Sequence, residues 1–285
     1  MIDVNNRSTA SAIISRIYKV FLYLLLTLGA CAVLLPFFWM LSTSLKLPTQ
    51  VLADPPKLIP YPITLLNYVE VFERTPFSRF MINSLIVSTL GTTVLLISST
   101  LGGYVFASYR FRGKDIAFWV LVATMMIPPQ IFAFPLYLIM RSFNLVDTYL
   151  AIAAPIFVMG FGLFLMRQAV STIPKDLLEA ACIDGCSEFR TYWNIVIPIL
   201  KNAIGALSIY AFFTSWGSLL WPLIVTNSEK HYTLPLGLVM FSKQYTIEYG
   251  PMMAACTVTV VPLVILYAIF SRRIVESFAL SGMKG

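Results

Sequence analysis

Long apolar runs without a charged side chain dominate the chain, and short polar connections separate them. Six such runs occupy residues 20–45, 80–109, 116–140, 148–166, 202–228 and 249–271. Each has at least 19 residues, and a helix needs about 20 apolar residues to cross the hydrocarbon core of a bilayer. No segment alternates apolar and polar residues over about ten positions, as the strands of a membrane β-barrel do. The pattern predicts an all-α polytopic membrane protein with six transmembrane helices.

Composition and charge placement agree with a membrane-embedded chain. Of the 285 residues, 58% are hydrophobic and 12% are charged, about half the charged fraction of soluble domains. With the N-terminus inside, thirteen of the 20 Lys and Arg residues fall in inner segments, as the positive-inside rule requires. Both termini are therefore predicted to be cytoplasmic, residues 1–19 before the first span and 272–285 after the last. The net charge of +7 reflects this topology, and no nucleic-acid partner is expected.

The motif LGAC at residues 28–31 resembles a lipoprotein cleavage site behind a basic N-terminal segment. The apolar run continues to residue 45, whereas the apolar core of a signal peptide has about 7–15 residues. The first run is therefore predicted to remain in the protein as an uncleaved span.

The sequence offers no residue set for catalysis, metal binding or nucleotide binding. No Asp, Glu, Lys or Arg lies in the middle of a predicted span, and the single histidine, His231, lies in the last outer loop. Gly113–Lys114 follows Ser108, where a phosphate-binding G-x-x-x-x-G-K loop needs glycine. Cys182 and Cys186 have no second pair of zinc ligands nearby. We expect no catalytic residue, metal or cofactor on this chain. An ion-coupled carrier or channel stays open as an alternative, although such proteins usually need an ionisable residue within the membrane.

The longest outer segment, residues 46–78, combines a proline-rich stretch with a short amphipathic one. The prolines of DPPKLIPYP favour extended backbone. In the following TLLNYVEVFE, the side chains of Leu65, Tyr68, Val69 and Phe72 recur at helical spacing. A short helix at the membrane surface is predicted, which either covers the spans or docks a partner.

Proline also lies inside several predicted spans, most densely in MIPPQIFAFP at residues 126–135. A proline within a membrane helix frees a carbonyl, which neighbouring helices, side chains or water must satisfy. Kinks packed against protein or a cavity are predicted there. Such kinks suit a moving pathway but also occur in ordinary membrane bundles.

A polar segment, EAACIDGCSEFRTYWNIVIP at residues 179–198, lies within the inner loop 167–201. Pro174 and Asp176 suit a helix start. Gly185 can adopt the positive φ that ends a helix, and Ser187 is a suitable N-cap for the next helix. Two short helices joined at a glycine turn are predicted. A hairpin with no core of its own makes sense if another protein receives it; the alternative is a plain connection between two spans.

The order of these residues resembles the conserved loop of bacterial ABC importer permeases. The family pattern has E-A-A, then Gly, Ile and Pro at fixed distances, found here as Glu179–Ala181, Gly185, Ile195 and Pro198. Ile197 stands where the family usually has Leu. The stretches PLYLIMRSFNLVDTYLA, FGLFLMRQAVSTIPK, SWGSLLWPLIV and YTLPLGL and the ending GMKG are similar to the carbohydrate-uptake branch, above all to the smaller six-span permease of maltose-type systems. The likeness begins near residue 20 and implies the MetI-like permease fold of type I ABC importers.

The resemblance implies a subunit of the bacterial cytoplasmic membrane that imports a sugar or oligosaccharide by alternating access. Expected partners are membrane lipid, a second homologous permease, two cytoplasmic ATPase subunits that bind ATP and Mg²⁺, and an extracytoplasmic binding protein. The inner loop would dock on an ATPase subunit, and the C-terminal tail would reach between the two ATPase subunits. The residues expected to couple this chain to the ATPase are Glu179, Ala180, Ala181, Asp184 and Gly185.

Two further sets of residues are expected, the first from a sugar substrate and the second from the resemblance to the maltose-type permeases. Amide and aromatic side chains within the spans are candidates for the pathway, namely Asn83, Gln130, Tyr137, Trp216 and Trp221. The outer loop 226–250 would meet the binding protein through residues 227–233, and above all through Asn227, Lys230 and His231. The apolar run LPLGLVMF at 234–241 would be buried as its support, because an apolar run needs a cover. The alternative is a loop that only caps the spans.

Overall fold

The computed structural model describes residues 4–51, 53, 55, 57–244 and 248–282, apart from the side chains of residues 4–14, 243–244 and 270–282. All regular secondary structure in this part of the chain is helical, which confirms the all-α prediction. The chain forms two compact units: residues 1–73 with 246–257, and residues 74–245 with 258–285.

The first unit is built on the long N-terminal helix and a short helix that folds back on its end. Its helices are α1 (Val4–Ser44), α2 (Pro48–Val51), α3 (Leu66–Arg74) and the beginning of α15 (Tyr249–Gly282). Asn67 donates its amide N–H groups to the carbonyls of Ser44 and Lys46, both at 2.8 Å. These bonds attach α3 to the end of α1.

Helix α3 confirms the predicted short helix, and most of the apolar side chains that indicated it are exposed. Asn67 and Val71 are buried, whereas Leu65, Val69 and Phe72 are exposed. A buried amide must find hydrogen-bond partners, and the two carbonyls at the end of α1 supply them. The apolar face of α3 is therefore left outward.

The second unit contains the remaining helices. They are α4 (Phe77–Ser108), α5 (Lys114–Ala123), α6 (Pro129–Ser142), α7 (Tyr149–Ala153), α8 (Gly160–Ser171), α9 (Lys175–Ile183), α10 (Glu188–Thr191), α11 (Ile197–Ile199), α12 (Lys201–Trp216), α13 (Leu220–Val225) and α14 (Leu234–Gln244). A π-helical turn, Tyr192–Val196, joins α10 to α11. The rest of α15 also belongs to this unit.

Among the described residues, three helices are long and apolar enough to cross a membrane, or six if each bent pair counts as one span. The long ones are Ser15–Ser44, Phe77–Ser108 and Tyr249–Ile269. The bent pairs are Lys114–Met126 with Pro129–Ser142 (106°), Tyr149–Ile156 with Gly160–Ser171 (53°), and Glu188–Ile199 with Lys201–Trp216 (78°).

The sharpest bend falls where the sequence predicts a proline kink. Pro128 lies between the two helices of the 106° pair, and Pro129 begins the second. Proline supplies no N–H to continue a helix. The predicted run 202–228 is not one helix, since α12 ends at Trp216 and α13 begins at Leu220. Its apolar composition alone does not reveal this break.

Helix α4 is the centre of the second unit. It packs closely on α8 at Gly103, where an added Cβ would lie 2.5 Å from the Cβ of Met166. Leu95, Met166 and Leu207 are fully buried in the core that α4 shares with α8 and α12. Asn83 lies near one end of α4 and Tyr104 near the other, about 30 Å apart along the helix axis. The two candidate sites described next lie at these two ends.

Candidate functional site in the hairpin and the outer loop

The helical hairpin, residues 175–199, turns at Gly185 as the sequence predicts. Helix α9 begins after Pro174 with Asp176 in its first turn. Gly185 has φ +75°, its N–H bonds to the carbonyl of Cys182 at 3.1 Å, and the N–H of Cys186 bonds to that of Ala181 at 3.0 Å. This pair of bonds is the Schellman arrangement that closes a helix with a left-handed residue. The turn thus depends on backbone geometry that glycine adopts without strain.

The second arm of the hairpin begins at Ser187, which confirms the predicted N-cap. Its Oγ accepts a hydrogen bond from the backbone N–H of Arg190 at 3.3 Å. Such a cap stabilises a helix by about 1 kcal/mol. The direction of the chain after the turn is therefore fixed locally.

The residues predicted to couple the hairpin to a partner do not all lie on its surface. Glu179, Ala180 and Asp184 are exposed, while Ala181 is 5% exposed. Ala180 is therefore the alanine of this pair that presents a small side chain to the outside. The small side chain of Ala181 serves packing within this chain.

The three most exposed large apolar side chains of the hairpin are ones that the sequence analysis did not select. Ile183 is 86% exposed, Phe189 is 71% exposed and Trp193 is 49% exposed. Such residues on a projecting hairpin form a surface suited to another protein. The spacing of Phe189 and Trp193, four residues apart, was the available signal, because it places both on one helical face.

The hairpin also has a buried root, which corrects the expectation of a hairpin without a core. Tyr192, Val196 and Leu200 pack with Tyr104 of α4 and Val170 of α8 in one apolar cluster. These partners lie far away in sequence, so the loop pattern alone did not show them. The root attaches the hairpin to α4 and α8.

At the other end of α4, a carboxylate holds the outer loop. Asp147 accepts N–H bonds from Asn227 (3.2 Å) and Ser228 (3.3 Å) and the O–H bond of Ser228 (2.6 Å). His231 Nδ1 lies 3.3 Å from Asp147 Oδ1. Burial by itself raises the pKa of Asp147, but the hydrogen bonds from Ser228 and from the two N–H groups outweigh it and hold the pKa below its ordinary value. Asp147 therefore stays ionised as an anchor of the loop.

Asn83, a predicted pathway residue, is the second anchor of the outer loop. Its side chain is 1% exposed. The amide donates to the carbonyls of Lys230 (2.9 Å) and Tyr232 (2.8 Å), and its oxygen accepts the hydroxyl of Tyr149 at 2.7 Å. Within this structure Asn83 positions the outer loop.

The other predicted pathway residues do not form one group. Trp216 donates its indole N–H to the carbonyl of Thr259 at 3.2 Å, and Trp221 donates to that of Ala151 at 2.9 Å. Tyr137 packs against the cluster that contains Trp221, while Gln130 is exposed on α6. A role of these four side chains in a pathway stays a prediction.

The predicted support of the outer loop is confirmed. Residues 234–241 lie in α14, where Leu234, Leu236 and Phe241 are buried. Gly237 sits so close to the ring of Phe80 that an added Cβ would overlap it. Of the candidate contact residues, Asn227 and Lys230 are exposed, and His231 is half-buried against the ring of Tyr149.

Known proteins resemble this chain over most of its length. Residues 95–279 match the family described as binding-protein-dependent transport system inner membrane component. The arabinooligosaccharides transport system permease protein AraQ of Halalkalibacterium halodurans is 32% identical over 92% of this chain and 96% of its own length. The sulfoquinovosyl glycerol transport system permease protein SmoH of Agrobacterium fabrum is 29% identical over 88% and 89%. A solved bacterial ABC transporter involved in the import of the acidic polysaccharide alginate matches 90% of this chain and 96% of its own, with a TM-score of 0.82 and 22% identity. That last likeness confirms the fold.

Proposed function

The chain belongs to the family of binding-protein-dependent transport system inner membrane components, and we propose that it is the permease subunit of an ATP-driven importer that moves a sugar or oligosaccharide into the cell. The observation that carries the proposal is the hairpin with its exposed face. A transport subunit whose ATP is hydrolysed on a separate subunit needs a surface that this ATPase can bind and move. The family match gives no support to an ion-coupled carrier or channel.

The substrate class rests on the relatives. AraQ is named for arabinooligosaccharides and SmoH for sulfoquinovosyl glycerol, and the similar solved transporter imports alginate. Each of these substrates is a sugar chain or a sugar derivative, and they include neutral and acidic members. A glycan or glycoside, of either charge type, is therefore the class that we propose.

The proposed importer needs several partner subunits. A second homologous permease would share the pathway, and two ATPase subunits would bind ATP and Mg²⁺ on the cytoplasmic side, where we also place both termini. The binding protein would deliver the substrate at the outer loop. When ATP binds, closing of the ATPase pair would bring the two hairpins together and open the transport pathway to the outside. Hydrolysis of ATP would return the pathway to its inward-facing state. The proposed contact of the tail 272–285 falls on side chains outside the described residues.

We expect Glu179→Ala to weaken coupling to the ATPase. Glu179 is exposed on α9, so its loss leaves the fold intact but removes a charge from the proposed contact, which is worth about 1.5–3 kcal/mol if it accepts a charge-assisted hydrogen bond. In reconstituted vesicles with the ATPase and binding protein, ATP-driven uptake should fall about tenfold. Glu73→Ala, which removes an exposed carboxylate of α3, is the matched control. Uptake by the parent protein that follows an ion gradient, without a bound ATPase, would overturn the proposed function.

A cysteine at Asn227 or Lys230 should crosslink to the binding protein when hydrolysis is stalled. Both side chains are exposed at the tip of the outer loop, which Asp147 and Asn83 hold in place. The measurement uses a background without the four native cysteines and a short bifunctional reagent. A cysteine at Ser171, exposed near the hairpin, should give no such product. Equal reaction of the loop cysteines with soluble maleimide, whether or not the binding protein is docked, would leave the loop as a cap.

A further inference from the structure

The end of α4 is tied to the hairpin by one carboxylate and two tyrosines. Tyr104 lies in the last turns of α4, and Tyr109 follows its end. Both hydroxyls donate to the same oxygen, Oε2 of Glu188, and the Tyr104 bond measures 3.1 Å. Glu188 is the first residue of α10, directly after the glycine turn and its serine cap. We call these three side chains the tyrosine clamp.

The tyrosine clamp continues into a second tie between the same elements. The ring of Tyr104 lies 5.7 Å from that of Tyr109, at 85°, and 5.7 Å from that of Tyr192. The hydroxyl of Tyr192 lies 2.7 Å from Oγ1 of Thr100 on α4. Tyr192 also opens the π-helical turn that follows α10, and such turns are frequent at functional sites. The second arm of the hairpin is thus fixed to α4 at two levels.

A cavity lies between part of the first arm of the hairpin and the end of α4. This cavity has a volume of about 470 Å³, and its lining includes Glu179, Cys182, Glu188, Tyr104 and Tyr109. Leu178 of the first arm packs against the apolar cluster that contains Tyr104, and the tyrosine clamp adds a polar connection between the hairpin and α4.

We propose that the tyrosine clamp transmits movement of the hairpin to α4, which carries it along its axis to the outer loop. The opposite end of α4 holds that loop through Asn83, about 30 Å away along the helix. Helix α4 is thus bonded to the hairpin at one end and to the outer loop at the other, so it forms a continuous physical connection between the two sites. Glu188 is then a positioning residue, and the cavity leaves room for the hairpin to tilt. This inference rests on the proposed function.

A carboxylate in the first turn of a helix also favours the helix dipole, and this offers a simpler role for Glu188. That role needs no partner from α4. Two hydroxyls that converge on one carboxylate oxygen add a connection between elements, which the dipole does not require. Removal of the tyrosine hydroxyls separates the two roles, because it leaves the charge of Glu188 in place.

The test compares the double variant Tyr104→Phe/Tyr109→Phe, Glu188→Ala and Glu188→Gln in the full complex, reconstituted with its ATPase and binding protein. The readouts are the stimulation of ATP hydrolysis by the binding protein and the substrate molecules moved per ATP. We expect the tyrosine double variant and Glu188→Ala each to lower stimulation about tenfold, as the loss of hydrogen bonds to a charged group allows. Their combination should be no worse than either alone, since the groups act as one unit. Glu188→Gln keeps an acceptor oxygen and should retain more stimulation than Glu188→Ala.

Tyr18→Phe, which removes an exposed hydroxyl from α1, controls for the loss of a hydroxyl, and the melting temperature of the complex controls for folding. Parent-like stimulation in the tyrosine double variant would overturn the clamp, as would a loss that only follows a lower melting temperature. If the parent complex itself shows no uptake driven by ATP, the proposed function fails instead. If the parent complex transports and the variants stay fully coupled, the role of the tyrosine clamp is refuted but the proposed function is not.

Discussion

Gly185→Val is expected to abolish ATP-driven uptake while the protein still reaches the membrane. Gly185 has φ +75°, and no atom lies within 4 Å of an added Cβ. A side chain therefore has space, and the effect comes from the backbone alone. A left-handed conformation costs an ordinary residue about 1–2 kcal/mol, and more for a β-branched one. The Schellman turn that aims the hairpin should then open.

Gly185→Asn is the matched control, because asparagine tolerates the left-handed conformation. It adds a polar side chain at the same open position and should retain most of the activity. Uptake and stimulated ATP hydrolysis are measured on both variants at equal amounts of protein in the membrane. Wild-type uptake by the valine variant would remove the turn from the mechanism. Equal loss in both variants would mean that the position tolerates no side chain against its partner.

Features coded by neighbouring residues were predictable from the sequence. The turn at Gly185 and the cap at Ser187 each depend on bonds within about five residues, so the residue types sufficed. The apolar runs gave the helical fold for the same reason. Bends in the helices were predictable only where a proline marked them, as at Pro128–Pro129. The break between α12 and α13 has no proline in it, and composition did not reveal it.

Contacts between distant segments were beyond the pattern. Asn83 and Asn67 are both amides near apolar helices, and the sequence does not tell an anchor from a binding group. The partners of Asn83 are 66, 147 and 149 residues away, and Glu188 accepts hydrogen bonds from tyrosines 79 and 84 residues before it. A periodicity argument carries no information on such pairs. The sequence therefore shows which side chains can form hydrogen bonds, but only the folded structure shows which partners they bind.

Asn83→Leu is expected to release the outer loop and to lower uptake by at least tenfold. Leucine has a similar size, but it leaves the carbonyls of Lys230 and Tyr232 and the hydroxyl of Tyr149 without their present partner. Each buried polar group left unpaired costs about 1–3 kcal/mol, so the loop loses several kcal/mol of support. Tyr149→Phe removes only the third of these bonds and should have a smaller effect.

The pathway role first predicted for Asn83 gives a different result, so one further measurement separates the two. A cysteine at position 230 (Lys230→Cys) reports on the loop through its crosslink to the binding protein. If Asn83 anchors the loop, Asn83→Leu should abolish this crosslink and weaken the docking of the binding protein for every substrate. If Asn83 instead contacts the sugar, the crosslink should persist while the half-saturating substrate concentration rises. Because Asn83 is 1% exposed and both the N–H groups and the oxygen of its amide are already hydrogen-bonded, we expect the first result.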